Sequence, residues 1–427
     1  MRIQKIATVG VVLLGIGTAA CTDITSLVQV NPGQVSAATL FVPANAQLLV
    51  NGAISDFECA YTRYVVGSGL LVDELSNAIA NTANFDYDAR RLLTNATYGS
   101  GTCGANQQPP IYSSLSTARG SADTVLARLR EWTDASMPVG VNRTRLIGQA
   151  ATYAGYSLVL LGEGMCTGAV NLSAELTPAQ LFSEAKVRFD SAVTAATTVN
   201  DAPTLNLALL GRARALLNLK QPAAAGIDAA RIPASFVSST GTDNVIVRRQ
   251  NFAFLYINQN SVNTVDATFR GLTINGLPDP RVAVTNSGRP GTVVGTIIWT
   301  ADKYPAISTP TPIARYAEAQ LIVAEAKQAA GDLPGAAAAI NVVRATRAGV
   351  PAYDVTGQTS AQVLATIIED RRRELFLEGY RLGDIRRYSL PLTPAAGVAY
   401  AGGGVYGSQS CFPLPDVERI NNPNIAK

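Results

Sequence analysis

The chain has 427 residues, 34 Lys and Arg against 31 Asp and Glu, a formal charge of +3, 47% apolar residues and no histidine. The missing histidine excludes Ser-His-Asp and Cys-His nucleophilic machinery, His-ligated zinc and a histidine pH switch together, and so even a charge balance leaves no electrostatic footprint for nucleic acid. The length allows two or three domains with a large core, and without a Gly-Lys-Ser/Thr phosphate loop or a helix-opening Gly-x-Gly-x-x-Gly any chemistry would rest on carboxylates.

The first element is a leader. Arg2 and Lys5 give a cationic start, Ile6 to Ile16 form an apolar run too short to span a bilayer, and Thr18-Ala19-Ala20-Cys21 follow. This order reads as a bacterial lipoprotein signal, although Thr18 stands where such signals usually carry Leu. Cleavage before Cys21 removes residues 1–20, and lipid on Cys21 tethers the rest, each buried CH₂ contributing roughly 0.8 kcal/mol. A plain secretory signal with a coincidental cysteine is the alternative. Without Arg2 and Lys5, 32 basic residues face 31 acidic ones, a net charge of +1. No later stretch approaches the length of a membrane span, so the expected membrane contact is the lipid anchor alone.

Residues 21–45 lack periodicity and contain the turn signal Asn31-Pro32-Gly33, which reads as a tether. Four cysteines remain beyond Cys21: Cys59, Cys103, Cys166 and Cys411. An even count in an exported chain, with no C-x-x-C pair, points to disulfides rather than zinc or redox chemistry. Of three possible connectivities we favour Cys59 with Cys103 and Cys166 with Cys411; four reduced core thiols are the alternative.

Helical spacing dominates residues 46–231. Leu146, Ala150, Ala154, Leu158 and Leu161 repeat on one face, as do Leu181, Ala185, Phe189 and Val193 on the next, whose start is marked by Thr177-Pro178. Further helices are expected over 204–220 and 222–230. Residues 232–312 are rich in Thr, Asn, Gly and Pro and show no helical period; they read as a loop-rich insertion with strand-like runs at Val245 to Val247 and Val293 to Trp299. Helices resume over 313–390: 315–330, a break at Gly331-Asp332-Leu333-Pro334, then 335–347. These alanine-rich hairpins match those near Ala213 to Ala223 and resemble tetratricopeptide units, with low-complexity alanine usage as the alternative.

A last long helix begins near Ser360 and carries Leu364, Ile368 and Leu375 on one line with Arg371; Gly379 suits its stop. Its charge run, Glu369 to Glu374, continues into Glu378, Arg381, Asp384, Arg386 and Arg387. Helical distances allow Arg371 to meet Glu374 and Glu369 to meet Arg373. We read Arg371, Glu374, Glu378, Arg381 and Asp384 as a partly buried ion network that locks the helix to the following turn, in preference to an active site. Residues 391–427 read as a tail packed on the scaffold.

Arg371-Arg372-Arg373-Glu374-Leu375-Phe376, Glu378-Gly379, Arg381, Asp384 and Arg386-Arg387 resemble the signature of the SusD/RagB family. The preceding hairpin from Arg315 to Gly349, the ending Phe412-Pro413-Leu414-Pro415 with Asn421 to Asn424, and the lipidated start are also similar to that family. Tyr380 and Leu382 replace the His and Trp often found in the signature. The resemblance implies a mainly α, SusD-like fold of four tetratricopeptide-like helical pairs with loop-rich elaborations and few short strands. It implies a lipid-anchored outer-membrane protein, at the cell surface, with no catalysis and no cofactor. Its expected ligand is an oligosaccharide or, in some branches, a peptide, delivered by the chain as lid to a TonB-dependent barrel transporter.

Aromatic faces stack on sugar rings, so loop-borne aromatics in polar surroundings are the ligand-binding candidates: Phe85 and Tyr87 within Asn84-Phe85-Asp86-Tyr87-Asp88, then Tyr98, Trp299 and Tyr304. Asn84, Asp86 and Asp88 would bond hydroxyls. Aromatic residues make up only 7% of the chain, which keeps peptides and other nutrients open. Two other classes stand beside this reading. One is a glycoside hydrolase using Asp73-Glu74 or Asp86 and Asp88; the other is a helical-repeat lipoprotein assisting outer-membrane assembly.

Overall fold

The computed structural model describes residues 36–80, 82–104 and 108–425, leaving aside the side chains of 82–84. The leader, Cys21 and most of the expected tether lie outside these residues. The chain divides into two units, 1–42 and 43–427. Within the first, α1 (Ala37–Leu40) is a single turn capped by Ser36, whose hydroxyl accepts from the Thr39 N–H at 3.2 Å.

The second unit is built on helices. In chain order these are α2 (Ala46–Leu71), α3 (Thr82–Asp88), α4 (Thr97–Ser100), α5 (Ile111–Glu131), α6 (Arg143–Gly164), α7 (Pro178–Thr198), α8 (Ala202–Asn218) and α9 (Pro222–Ala229). After the insertion come α10 (Tyr316–Ala329), α11 (Leu333–Arg344), α12 (Ser360–Glu374), α13 (Arg381–Tyr388) and α14 (Asp416–Asn421). Neighbouring long helices pack on one another from α2 with α5 through α6, α7, α8, α9 and α10 to α11. They form four consecutive pairs: α2 with α5, α6 with α7, α8 with α9, and α10 with α11. This is the mainly α, tetratricopeptide-like scaffold expected from the sequence.

Local chemistry sets the helix ends. Thr177 and Gln180 form a reciprocal capping box ahead of Pro178 at the start of α7, and Thr359 with Gln362 does the same for α12. Asp332 caps α11 by accepting from Gly335 N–H at 2.9 Å, just after Gly331 turns the chain at φ +81°. Small residues set the helix spacing. The ring of Phe189 on α7 lies between Gly155 of α6 and Gly211 of α8, and a Cβ at Gly155 would sit 2.8 Å from that ring. Ala324, Ala336, Ala339 and Ile340 likewise let α10 and α11 close on Val363 and Ile367 of α12.

α2 has no apolar stripe because residues 59–71 are buried without interruption, so nothing in its sequence repeats at 3.6 residues. In α12 the buried positions are Val363, Ile367, Asp370, Arg371 and Glu374, while Leu364 and Ile368 are only partly covered. Val363 and Ile367 therefore face inward in place of Leu364 and Ile368, while Arg371 and Leu375 of the expected line are buried.

Among the described residues the strands form four antiparallel pairs: β1 (Leu75–Asn77) with β3 (Asn263–Val265), β2 (Val237–Ser239) with β8 (Pro312–Arg315), β4 (Thr273–Ile274) with β5 (Leu277–Pro278), and β6 (Val284–Pro290) with β7 (Ile297–Ala301). The second expected strand overlaps β7. The first does not form: a 3₁₀ turn at Val247–Arg249 takes its place, with Asp243 accepting from Val245 and Ile246 N–H. The insertion also holds a π-helix at Phe254–Gln259, too short to leave a period in the sequence.

Two disulfides, Cys59–Cys103 and Cys166–Cys411, have the favoured pairing. The second fixes the tail to the end of α6, where Cys166 N–H donates to Phe412 O at 2.8 Å and Phe412 N–H to Gly164 O at 2.9 Å.

Candidate functional site

The C-terminal charge run folds into ion pairs between elements. Arg371 of α12 donates to Asp384 of α13 at 2.9 Å, and Arg315 at the end of β8 reaches Glu374 at 2.8 Å and Glu378 at 2.9 Å. Arg381 grips both oxygens of Asp73, beyond the end of α2, at 2.7 and 2.6 Å. Lys303 pairs with Glu378, and Arg387 with Glu325 and Asp384. Glu369 meets Arg373 at 2.6 Å as expected, but Arg371 does not meet Glu374; the long-range partners Asp384 and Arg315 take them instead. Burial works to raise Glu378 and Asp384, yet the facing cations outweigh it and hold both carboxyls below their ordinary range. Such groups stay ionised and hold the last helices together.

The carboxylates of the hydrolase alternative are similarly engaged. Asp73 is clamped by Arg381; Glu74 is buried and accepts from Leu377 N–H at 2.9 Å. Asp88 is buried and accepts from Asn77 N–H at 2.7 Å and Tyr400 O–H at 3.2 Å. Burial lifts Glu74 and Asp88 to about 7. Asp86, partly exposed, is also raised by burial.

Three ligand-binding candidates belong to the core. Tyr87 donates its hydroxyl to Pro109 O at 2.9 Å, Tyr98 to Pro413 O at 2.9 Å and Tyr304 to Leu377 O at 2.7 Å, and each is 1% exposed or less. Tyr87 and Tyr98 also pack edge-on against each other and around Phe412. With ring and hydroxyl both satisfied, these tyrosines offer no face to a sugar, which corrects the expectation for all three. The side chain of Asn84 lies outside the described residues.

Phe85, Asp86 and Trp299 keep partial exposure. Ala78 O accepts from Thr292 N–H at 2.8 Å, and Ala80 N–H donates to Thr292 Oγ1 at 2.7 Å, which joins the segment before Phe85 to the loop before Trp299. Trp299 is fixed on β7 by its backbone N–H donating to Thr264 Oγ1 at 2.8 Å, and the Arg270 guanidinium lies 5.5 Å from the indole ring centre. Phe85 meets Tyr400 edge-on at 5.7 Å, with Arg91 on the Tyr400 ring at 5.7 Å. Arg270, Arg91 and Tyr400 were not singled out from the sequence; the nearest signal was Tyr400 and Tyr406 bracketing Gly402-Gly403-Gly404. Phe85 with Tyr400 and Arg91 forms one contact group and Trp299 with Arg270 another, each placing a partly exposed ring near a guanidinium.

Residues 299–422 match the SusD family model. By sequence, no curated protein matches the chain. Among solved structures, the chain is similar to a SusD-like carbohydrate binding protein from Bacteroides vulgatus, with TM-score 0.68 and 18% identity over 89% of this chain and 96% of that one. A SusD superfamily protein from Bacteroides fragilis gives TM-score 0.67 and 16% identity over 90% and 99%. A laminarin binding SusD-like protein gives TM-score 0.64 and 15% identity over 90% and 98%. The resemblance drawn from Arg371 to Arg387 is borne out.

Proposed function

We propose, for a chain that carries the SusD-family segment at residues 299–422 within a SusD-like fold, that it is a lipid-anchored outer-membrane protein which binds a glycan without altering it. It passes that glycan to a TonB-dependent barrel transporter, over which it sits as a lid. The observation that carries the reading is the family segment standing inside a fold shared, almost end to end, with a SusD-like carbohydrate binding protein. The engagement of Asp73, Glu74 and Asp88 in the scaffold agrees with binding rather than hydrolysis. Anchoring rests on the leader and Cys21.

Phe85, Asp86 and Trp299 are the residues we assign to the ligand, with Arg270 steadying the indole. The test is titration of oligosaccharides into protein lacking residues 1–21, with product analysis of each mixture. Saturable binding of an unchanged glycan, weakened about five- to thirtyfold by Trp299→Ala, is expected, since loss of one stacking platform removes on the order of 1 to 2 kcal/mol. Cleaved product, or binding indifferent to Trp299 and Phe85, overturns the assignment.

A further inference from the structure

Between the end of α6, the first turn of α7, the end of α8 and α13 lies an open pocket of about 360 Å³, lined by none of the glycan candidates. Two of its cations, Arg386 and Lys220, have no carboxylate partner among the described residues. Arg386 spends Nη1 on the carbonyls that end α6, donating to Gly162 O, Glu163 O and Met165 O at 3.1, 2.7 and 2.8 Å. Lys220 is exposed, and its ammonium donates to Arg387 O at 2.8 Å. Carbonyls at helix ends hold such cations in place, but they carry no net charge to cancel them.

The other charges of the pocket are already matched. Glu163 accepts from Arg214 Nε at 2.8 Å and Nη2 at 2.5 Å and from Asn218 at 2.9 Å, while Arg387 pairs with Glu325 and Asp384. Burial pulls Arg386 below its ordinary value, and nearby Tyr64 and Glu163 do not make up the loss; for Arg371 and Arg381 the same burial is outweighed by Asp384 and Asp73. Arg386 still offers Nε and Nη2, which bond to nothing among the described residues and keep contact with solvent. That side-on edge matches the two oxygens of a carboxylate, and the Lys220 ammonium adds a point charge. Pro178, Ala179 and Phe182 of α7 give the pocket an apolar side, and its volume lies at the small end of small-molecule sites.

We propose that this pocket binds a small carboxylate, with its oxygens on the free edge of Arg386 and beside Lys220 and its body against the first turns of α7. Neither cation enters the glycan-binding reading.

The test titrates benzoate and glucuronate, their neutral counterparts benzamide and glucose, and inorganic phosphate into disulfide-intact protein lacking residues 1–21 at low ionic strength, followed by ligand-observed NMR. At least one carboxylate should saturate, about tenfold or more tighter than its neutral counterpart and tighter than phosphate. Lys220→Glu, at an exposed position, should weaken that binding about tenfold with Tm unchanged, and Ala179→Trp, also exposed, should abolish it by filling the pocket. Trp299→Ala should leave it unaltered, which separates this pocket from the glycan site. No saturation by either carboxylate, equal binding of the neutral counterpart, tighter binding of phosphate, an affinity indifferent to Lys220→Glu or to Ala179→Trp, or a loss in Trp299→Ala would each overturn the proposal.

Discussion

Glu318 sits where three helices meet, buried, accepting the Tyr380 hydroxyl at 2.8 Å, and burial lifts its carboxyl to about 7 against the cation of Arg214. Glu74 and Asp88 are lifted to about 7 by the same cause. Their ordinary values are 4.5 for Glu and 3.8 for Asp, so between there and about 7 the folded protein keeps protons that the unfolded chain has released. Stability therefore falls as pH rises through that window. Asp279 has the opposite sign: burial opposes it, but Arg281 and Arg373 prevail and hold it at about 2, so its contribution is lost only as pH drops below 3.8. Thermal unfolding followed by circular dichroism should give a higher Tm near pH 5 than at pH 8, with Glu318→Gln flattening the difference. A Tm that climbs from pH 5 to pH 8 contradicts this assignment.

Ion pairs differ in weight according to burial. Arg315→Met removes the cation shared by Glu374 and Glu378, both about 1% exposed, leaving Arg347 for the first and Lys303 for the second, and should cost about 1.5–3 kcal/mol in denaturant unfolding. Lys186→Ala breaks a pair whose members are 40% and 41% exposed and should cost no more than about 0.5 kcal/mol. Equal effects would remove the distinction between the two kinds of pair.

Among elements, α12 shows what periodicity can and cannot locate. Ser360 marked its start, yet the first half of the apolar line was drawn through Leu364 and Ile368 when Val363 and Ile367 are the buried pair; Arg371 and Leu375 further along the line are buried as drawn. Val363-Leu364 and Ile367-Ile368 are adjacent apolar pairs, so hydrophobicity alone could not say which member faces inward. Ile367→Ala should cost about 2–5 kcal/mol, and Ile368→Ala distinctly less; the reverse order in urea unfolding would contradict the register. The long helix α2 was hidden for a different reason: burial on every side leaves no stripe. Close helix approach was legible as alanine usage, but its specific contacts, such as Phe189 beside Gly155 and Gly211, were not. Gly211→Ala should overpack that contact and lower stability by about 1–3 kcal/mol.

The disulfides act at this scale too. Cys166–Cys411 closes a separation of 245 residues, worth roughly 5 kcal/mol in the chain-entropy model. Replacing both cysteines by Ser should speed hydrogen exchange over 391–425, with little change in α6 and α7. Uniform acceleration throughout the chain would show that the bond supports the whole scaffold instead of the tail.

For the whole molecule, fold and site were legible to different degrees because they depend on different information. Helical pairs arise from local periodicity and caps such as Thr177-Pro178, and the family signature is contiguous in sequence. A binding surface is assembled from segments far apart. Tyr304 looked available in a polar loop, but the carbonyl of Leu377, 73 residues later, takes its hydroxyl. Trp299 remains a candidate because β7 holds its backbone while the indole stays partly exposed, and Arg270 beside it comes from another segment of the insertion.

The central claim is that this scaffold holds a glycan and leaves it intact. Isothermal titration of a glycan library into disulfide-intact protein lacking residues 1–21, with mass analysis of every mixture afterwards, tests it most directly. Saturable binding of at least one oligosaccharide is expected, lost or weakened about tenfold in Trp299→Ala and Phe85→Ala, with the ligand recovered at its original mass. Heat absent for the whole library, or shortened oligosaccharides in the recovered ligand, would contradict it.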